Sequence, residues 1–446
     1  MKKKYDIIIV GGGVAGKSAA SELAASGKKV AAVENDLWGG TCPNRGCDPK
    51  KVLVAAVEAR SNANQLIGKG IESAPDVNWP DLMAFKKTFT DPVSEQTKKS
   101  LIEAGVDTYS ATVEFINENS IRVNDDILEA DQFIISTGAH PSILDIEGKE
   151  HFLTSDDFLS LPEMPETVTF IGGGYIAFEF AAIANAAGAK VHVIQHNKKP
   201  LKAYDQEFIK ELMKQLEDKG VTFHLDINIT NIQKSSNQFI LTDEDNFNLT
   251  TDLVFGTTGR IPNIENLKLE NAKIEYDKKG IKTNKFLQTS NSAVYAMGDV
   301  LSKSQPKLTP VASLEASYLV SLLRGKTEES LIYPEIPTIV FSSPKVAQVG
   351  VTPSQADKDK DKYDIATIDA TDWFSYARLN EPVSLVKIIT EKKSGNLVGA
   401  TCMNNEADVL INLFSILINK KITANELSDI VFAYPTIASD LSSLLA

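Results

Sequence analysis

Apolar positions along this chain form short continuous runs separated by stretches of helical spacing. Tyr5-Asp6-Ile7-Ile8-Ile9-Val10 is almost unbroken in apolar character, as expected of a parallel strand buried on both faces. Small apolar residues then recur at Ala19, Ala20, Leu23 and Ala24, which predicts a helix, and Lys29 to Val33 predicts a second strand ending in Glu34. The same succession returns downstream as a strand over Thr167–Ile171, a helix through Phe178-Glu179-Phe180-Ala181 and a strand over Lys190 to Ile194. Val52, Leu53, Ala56 and Val57 mark another helix. Residues 80–106 read as helical, but Pro92 predicts two helices rather than one. Val398 to Met403 reads as a strand that buries Cys402. Asp357 to Asp364 alternates acids and lysines, the pattern of a solvated surface.

The turns between each first strand and its helix are glycine-rich. Gly11-Gly12-Gly13-Val14-Ala15-Gly16 has the G-x-G-x-x-G phase at Gly11, Gly13 and Gly16. Gly11 permits the tight turn, Gly13 lets backbone approach a pyrophosphate, and Gly16 allows close helix–strand packing. The helix N-terminus offers free N–H groups to phosphates, and Glu34 can accept hydrogen bonds from a ribose hydroxyl. The second turn, Gly172-Gly173-Gly174-Tyr175-Ile176-Ala177, carries Ala177 in the third-glycine place. The acid expected after its second strand is missing, and Gln195-His196-Asn197-Lys198-Lys199 stands there instead. His196, Lys198 and Lys199 would attract a 2′-phosphate that an acid would repel, which favours NADPH over NADH. Two such units predict two dinucleotides, a flavin and a nicotinamide, with hydride passing between them.

With 446 residues the chain exceeds one hydrophobic core, and several domains are expected. A net charge of −13 disfavours nucleic acid and anionic membrane as partners. No apolar run approaches the roughly 18 residues that span a bilayer, and Ile7 to Val10 is too short for a signal peptide, so a cytoplasmic location is expected. Cys42, Cys47 and Cys402 are the only cysteines. That count excludes a structural disulfide framework, and no second Cys/His pair is spaced for zinc.

Cys42 and Cys47 lie in Gly39-Gly40-Thr41-Cys42-Pro43-Asn44-Arg45-Gly46-Cys47-Asp48-Pro49-Lys50-Lys51. Asp48 is expected to cap the following helix and Pro49 to open it. Cys47 then sits beside a helix N-terminus with Lys50 and Lys51 near, conditions that lower a thiol pKa. A separation of five residues does not match one helical face, so bringing the sulfurs together requires an irregular turn, which Pro43 and Gly46 make plausible.

This segment resembles the redox-active disulfide motif of the pyridine nucleotide–disulfide oxidoreductases of the glutathione reductase and dihydrolipoamide dehydrogenase type. Ser136-Thr137-Gly138, Gly259-Arg260-Ile261-Pro262-Asn263, Tyr295-Ala296-Met297-Gly298-Asp299, Leu308-Thr309-Pro310-Val311-Ala312 and Ile336-Pro337-Thr338-Ile339-Val340-Phe341 resemble further family motifs, so the likeness covers essentially the whole chain. It implies an α/β fold of two Rossmann-like, three-layer FAD- and NAD(P)-binding domains plus a C-terminal α+β dimerisation domain. The expected divisions are 1–145 and 266–328 for FAD, 146–265 for NAD(P)H and 329–446 for the interface. The resemblance implies FAD and NADPH as cofactors, with contacts at Gly40, Thr41, Lys51, Thr137, Gly138, Asp299, Thr309, Ala312, Gly259 and Arg260. Cys47 would be the flavin-proximal thiol and Cys42 the interchange thiol that attacks a substrate disulfide. Lys50 or Lys51 would pair with Glu179 beside the flavin, and Tyr175 would gate the nicotinamide pocket. A small or protein disulfide would be the substrate and a homodimer the working form.

The chain departs from the family at its C-terminus. Disulfide reductases of this type usually end in His-Pro-Thr with a glutamate five residues after the histidine. Here Tyr434 precedes Pro435-Thr436, and Ser439 takes the glutamate's place, with Asp440 one residue late. A tyrosine near pKa 10 can donate a proton but is a poor base. Tyr434 is therefore expected either to donate a proton to a leaving thiolate or to leave disulfide exchange to another acceptor. The alternatives are reduction of quinones, metal ions or another oxidant, and a catalytically silent redox-sensing flavoprotein. Glu22, where glutathione reductases place arginines, has the wrong sign for a carboxylate-rich substrate. Asp48 also replaces a residue that is commonly apolar in the family.

Overall fold

Ile7, Ile8 and Ile9 are no more than 1% exposed because their strand, Lys2–Val10, lies in the middle of a sheet. In this computed structural model, which describes residues 2–445, Lys2–Val10 pairs in parallel with Val30–Glu34 on one side and Asp126–Ile135 on the other. The register sets Val10 opposite Val33 and Ile135. Asp107–Ser110 extends one edge in parallel, and Val294–Ala296 also joins Asp126–Ile135 in parallel. The antiparallel strands Ser120–Val123 and Val113–Asn117 complete seven strands. Strand order reverses at Lys2–Val10, so the crevice beyond its carboxyl end is the place where an open α/β sheet takes a ligand. The helices Val14–Ala25 and Thr309–Leu323 supply buried Ala19, Ala20, Leu23, Ala316 and Leu319 to the same core.

These elements belong to the first of two compact units, which holds the chain up to Lys51, Ala84–Ser142 and Gly259–Tyr333. The second unit holds Val52–Met83, Ile143–Thr258 and the chain from Pro334 onward. It contains a four-stranded parallel sheet in the order Val221–Leu225, Lys190–Gln195, Thr167–Ile171 and Leu253–Gly256. The helix Tyr175–Ala186 buries Ala177, Phe178, Phe180 and Ala181 against it. The same unit carries a five-stranded antiparallel sheet in the order Thr338–Val340, Lys345–Gly350, Leu397–Asn404, Leu385–Glu391 and Tyr363–Asp369. The helix Ala407–Lys420 sets Leu410, Ile411, Phe414 and Leu417 into that sheet's core, one apolar face at helical spacing. Lys387, 7% exposed, ties the five-stranded sheet to the start of a helix of the same unit. Its ammonium lies 3.0 Å from Asp205 and 2.6 Å from Glu207, and Asp205 also caps the helix Gln206–Glu217.

The fold is thus the expected one: two Rossmann-like parts and a C-terminal α+β part. Residues 80–106 form two helices, Trp79–Thr90 and Val93–Glu103, interrupted at Pro92. Cys402 is fully buried in the strand Leu397–Asn404. No helix among the described residues is long and apolar enough to cross a membrane.

Candidate functional site

The first glycine turn ends with Gly13 as N-cap of Val14–Ala25, a helix with no acid in its first turn. Its N–H groups are left for an anion. A Cβ on Gly16 would stand 1.9 Å from the Gly11 carbonyl oxygen and 2.7 Å from Ser136 Oγ, so only glycine lets this helix approach the strand end. Glu34 closes the cradle, its Oε2 accepting the Gly12 N–H at 2.7 Å and its Oε1 that of Asp36 at 2.9 Å. Burial pushes the Glu34 carboxyl up, against the Gly12 and Asn35 N–H groups and the Arg45 charge, which pull it down.

Three distant segments complete this end of the first unit. Thr137 Oγ1 donates to the Asn263 carbonyl at 2.7 Å, Asn263 Nδ2 donates to the Thr137 carbonyl at 2.9 Å, and the Asn263 N–H reaches the Gly138 carbonyl at 3.0 Å. Gly259 and Arg260 fall in this unit, and Arg260 donates to the Ala139 carbonyl. Asp299 lies in the turn Gly298–Val300, where burial raises its carboxyl pKa and Lys303, Lys307 and Arg260 oppose the rise. Sequence reasoning missed the residue that holds this turn. Glu315, fully buried, accepts the Gly298 N–H at 2.6 Å through Oε2, while Oε1 accepts from Lys303 and from Tyr333 Oη at 2.7 Å. Its signal was available: an acid in line with Val311 and Leu319 on an apolar helix face.

The residues of this unit fit FAD. They offer a cradle that a Cβ would fill, an uncapped helix N-terminus, a terminal acid and a second acid at Asp299.

The cysteine segment differs in detail from the expectation. Thr41–Arg45 is a helical turn that begins after Gly40, and a second helix, Cys47–Gln65, starts at Cys47 itself. Asp48 and Pro49 therefore lie inside the first turn, and Asp48 is not the N-cap. The helix starts earlier because the chain breaks at Gly46 (φ −141°, ψ −117°), and the Lys50 N–H bonds back to the Gly46 carbonyl at 3.2 Å. A Cβ on Gly46 would lie 2.9 Å from the Thr41 carbonyl oxygen and 3.1 Å from Cys42 Cα. That close approach is the irregularity that carries Cys42 to Cys47.

Cys42, the Thr309 hydroxyl at 3.7 Å and the Lys50 charge lower the Cys47 pKa to about 6, against desolvation and the Asp48 charge. Cys42 is pushed far above the ordinary thiol range, first by Cys47, then by burial and by Asp48. The first unit thus brings together Cys42, Cys47, Lys50 and Thr309, and of the reduced pair Cys47 is the sulfur that ionises first. Lys51 follows in the same helix, and Ala312 lies one turn beyond the Thr309 helix start.

The second unit repeats the dinucleotide cradle with one change. Gly172 leads from the strand, Gly174 caps Tyr175–Ala186, and Ala177 is fully buried. Gln195 Oε1 accepts the Gly173 N–H at 2.7 Å, the place that Glu34 takes at Gly12. The missing acid is therefore a neutral side chain making the same bond. His196, Lys198 and Lys199 are exposed beyond it, and Lys198 lies 3.2 Å from Asp226. Tyr175 is 49% exposed at its helix start, and buried Glu179 accepts the Phe341 N–H at 2.9 Å.

Residues 5–316 match the pyridine nucleotide-disulphide oxidoreductase pattern, and residues 336–444 match the dimerisation domain of that family. The chain belongs to this family. It is 31% identical to a mercuric reductase of Staphylococcus aureus over 98% of this chain and 81% of that protein. It is 29% identical to a glutathione reductase of Burkholderia cepacia over 99% of both chains. Among solved structures, the Cu(II) complex of the HOCl-induced flavoprotein disulfide reductase RclA from Escherichia coli superposes with a TM-score of 0.89 at 25% identity, covering 98% of each chain. The chemistry of the family is FAD-dependent oxidoreduction between a pyridine nucleotide and a disulfide.

The C-terminal position that distinguishes this chain is open. Tyr434 is 80% exposed in a segment without regular structure. Ser439 does not face it as a dyad partner: its hydroxyl accepts the Thr436 N–H at 3.1 Å and closes the turn Ile437–Asp440.

Proposed function

We propose that this chain is an NADPH-dependent reductase of a small or protein disulfide, working as a cytoplasmic homodimer. The observation that carries the reading is the turn at Gly46, packed against Thr41 and Cys42, that sets Cys42 and Cys47 in one segment with Cys47 Sγ 3.7 Å from the Thr309 hydroxyl. We assign 1–145 and 266–328 to FAD, 146–265 to the nicotinamide and 329–446 to the subunit interface. FAD, when bound, supplies two-electron transfer from nicotinamide to the Cys42–Cys47 disulfide. Gly11, Gly13 and Gly16 admit its pyrophosphate, Glu34 its ribose, and Asp299 its ribityl chain. In the reduced pair, the Cys42 sulfur attacks the substrate disulfide and loses its proton. The leaving thiolate takes up a proton, Cys47 attacks the mixed disulfide, the second thiol departs, and the Cys42–Cys47 bond forms again. We assign the donation of that proton to Tyr434, from the partner's C-terminal segment, and the gating of the nicotinamide pocket to Tyr175.

Gln195 supports NADPH over NADH. A carboxylate there would keep the bond to Gly173 and repel a 2′-phosphate. Gln195→Glu is expected to lower kcat/KM for NADPH by about tenfold or more and to raise it for NADH. Steady-state kinetics with both nucleotides checks this, and an unchanged ratio would remove the assignment.

A second reading is favoured by Tyr434 and Ser439 in place of the acid–base dyad, by kinship with mercuric reductases and by the Cu(II) complex of RclA. In it, a thiophilic metal ion is the oxidant. Turnover of Hg(II) or Cu(II) with NADPH, in the absence of any disulfide turnover, is its test.

A further inference from the structure

Asp48 is freed from capping by the early helix start, and its carboxylate is turned to other use. Its Oδ1 lies 3.9 Å from Cys42 Sγ, and the side chain is exposed at the mouth of the cysteine turn. Lys50, two residues on, acts on the other sulfur: its charge is felt at Cys47. Positions 48 and 50 stand about 200° apart around a helix; the Asp48 charge is felt at both thiols, and Asp48 Oδ1 is in contact with Cys42 Sγ. The other nearby cation of the loop, Arg45, is paired with Asp36. The charge in contact with Cys42 Sγ is therefore the Asp48 carboxylate.

We propose that Asp48 is a specificity-determining residue, a charge filter that makes Cys42 favour disulfides carrying positive charge beside the reacting sulfur, such as amine-bearing disulfides, over anionic ones. The proposal rests on the reading of Cys42 as the interchange thiol. The carboxylate stands 3.9 Å from Cys42 Sγ, so a charge carried next to the sulfur that Cys42 attacks comes within the screening length of physiological salt, roughly 8 Å. An ammonium on the incoming group is attracted and a carboxylate repelled. Glu22, exposed on the Val14–Ala25 helix of the same unit, adds charge of the same sign. The filter leaves the electron count of the exchange unaltered: one substrate S–S bond breaks, one Cys42–Cys47 bond forms, and the released thiols take one proton from Cys42 and one from solvent, Cys47 having entered as the thiolate.

Alkylation of Cys42 tests the filter without turnover. The NADPH-reduced holoenzyme is treated with iodoacetamide or iodoacetate, and modification of the Cys42 peptide is timed by mass spectrometry. The Cys42 sulfur displaces iodide in both cases, so only the charge of the reagent differs. Asp48→Asn is expected to lower the iodoacetamide-to-iodoacetate rate ratio by about tenfold, and Asp48→Glu to keep it near the wild-type value. The kcat/KM ratio of cystamine to dithiodiglycolate should fall in parallel in Asp48→Asn and survive in Asp48→Glu. An alkylation ratio that stays within about twofold in Asp48→Asn would overturn the proposal. A shifted alkylation ratio with no turnover of either disulfide would leave the filter standing and remove the disulfide-reductase reading instead.

Discussion

Cys42→Ala is expected to lower disulfide turnover by about a thousandfold or more while flavin reduction by NADPH continues. The substitution removes the sulfur that forms the mixed disulfide, so no lesser geometry can replace it. It also removes the largest influence on Cys47, the neighbouring Cys42 thiol. The Cys47 thiolate then loses stabilisation relative to its thiol, and its titration moves up from about 6 toward the ordinary thiol range. The sign follows from the acid form being uncharged. A donor that stabilises the thiolate lowers the pKa, and losing it means that a higher pH is needed to form the same thiolate fraction. Cys42→Ser separates the two roles. It keeps a donor and should hold the Cys47 titration low, yet it is as inactive as Cys42→Ala. Iodoacetamide reactivity of Cys47 against pH measures the titration, and a Cys42→Ala profile unchanged from wild type would remove the influence of Cys42 on Cys47 from the account.

The second large effect is expected at Gly16. A methyl group there would overlap the Gly11 carbonyl oxygen, which is backbone and cannot rotate away. The Val14–Ala25 helix must therefore move off the strand end and carry its N–H groups out of register with a pyrophosphate. Gly16→Ala should cost about 3 kcal/mol of stability and yield protein that retains little flavin after purification. Ala177 occupies the matching place in the second unit and is already fully buried as a methyl. Ala177→Gly is expected to cost only about 1 kcal/mol and to leave flavin content intact. The flavin-to-protein absorbance ratio and thermal unfolding of the two variants check the asymmetry, and equal flavin loss in both would contradict it.

Both cradles were legible in the sequence because local chemistry dictates them. Ile7, Ile8 and Ile9 can be continuous only in a strand covered on both faces, and the glycines that follow have one economical use. Gln195 was visible as a missing acid, although its bond to Gly173 was not, since that bond joins positions 22 residues apart. The cysteine turn was half legible. Residue preferences placed the helix start at Asp48, but the start is set by the close approach of Gly46 to Thr41 and Cys42, which preferences do not encode. Pairings over long separations were hidden for the same reason: Thr309 beside Cys47, Asn263 locked to Thr137, and Glu315 holding Gly298 all depend on how distant segments are brought to one sheet end. The absence of a histidine at 434 was plain, and the structure adds that Ser439 is engaged with Thr436 and does not replace the missing glutamate.

The central claim is that Cys42 and Cys47 exchange two electrons with the flavin as a disulfide, and counting thiols tests it most directly. The chain has three cysteines, and Cys402 is fully buried within the second unit. Air-oxidised holoenzyme, denatured and titrated with a thiol reagent, is predicted to show one thiol per chain, and the same protein treated anaerobically with NADPH before denaturation is predicted to show all three. A count that is the same before and after NADPH would contradict the account.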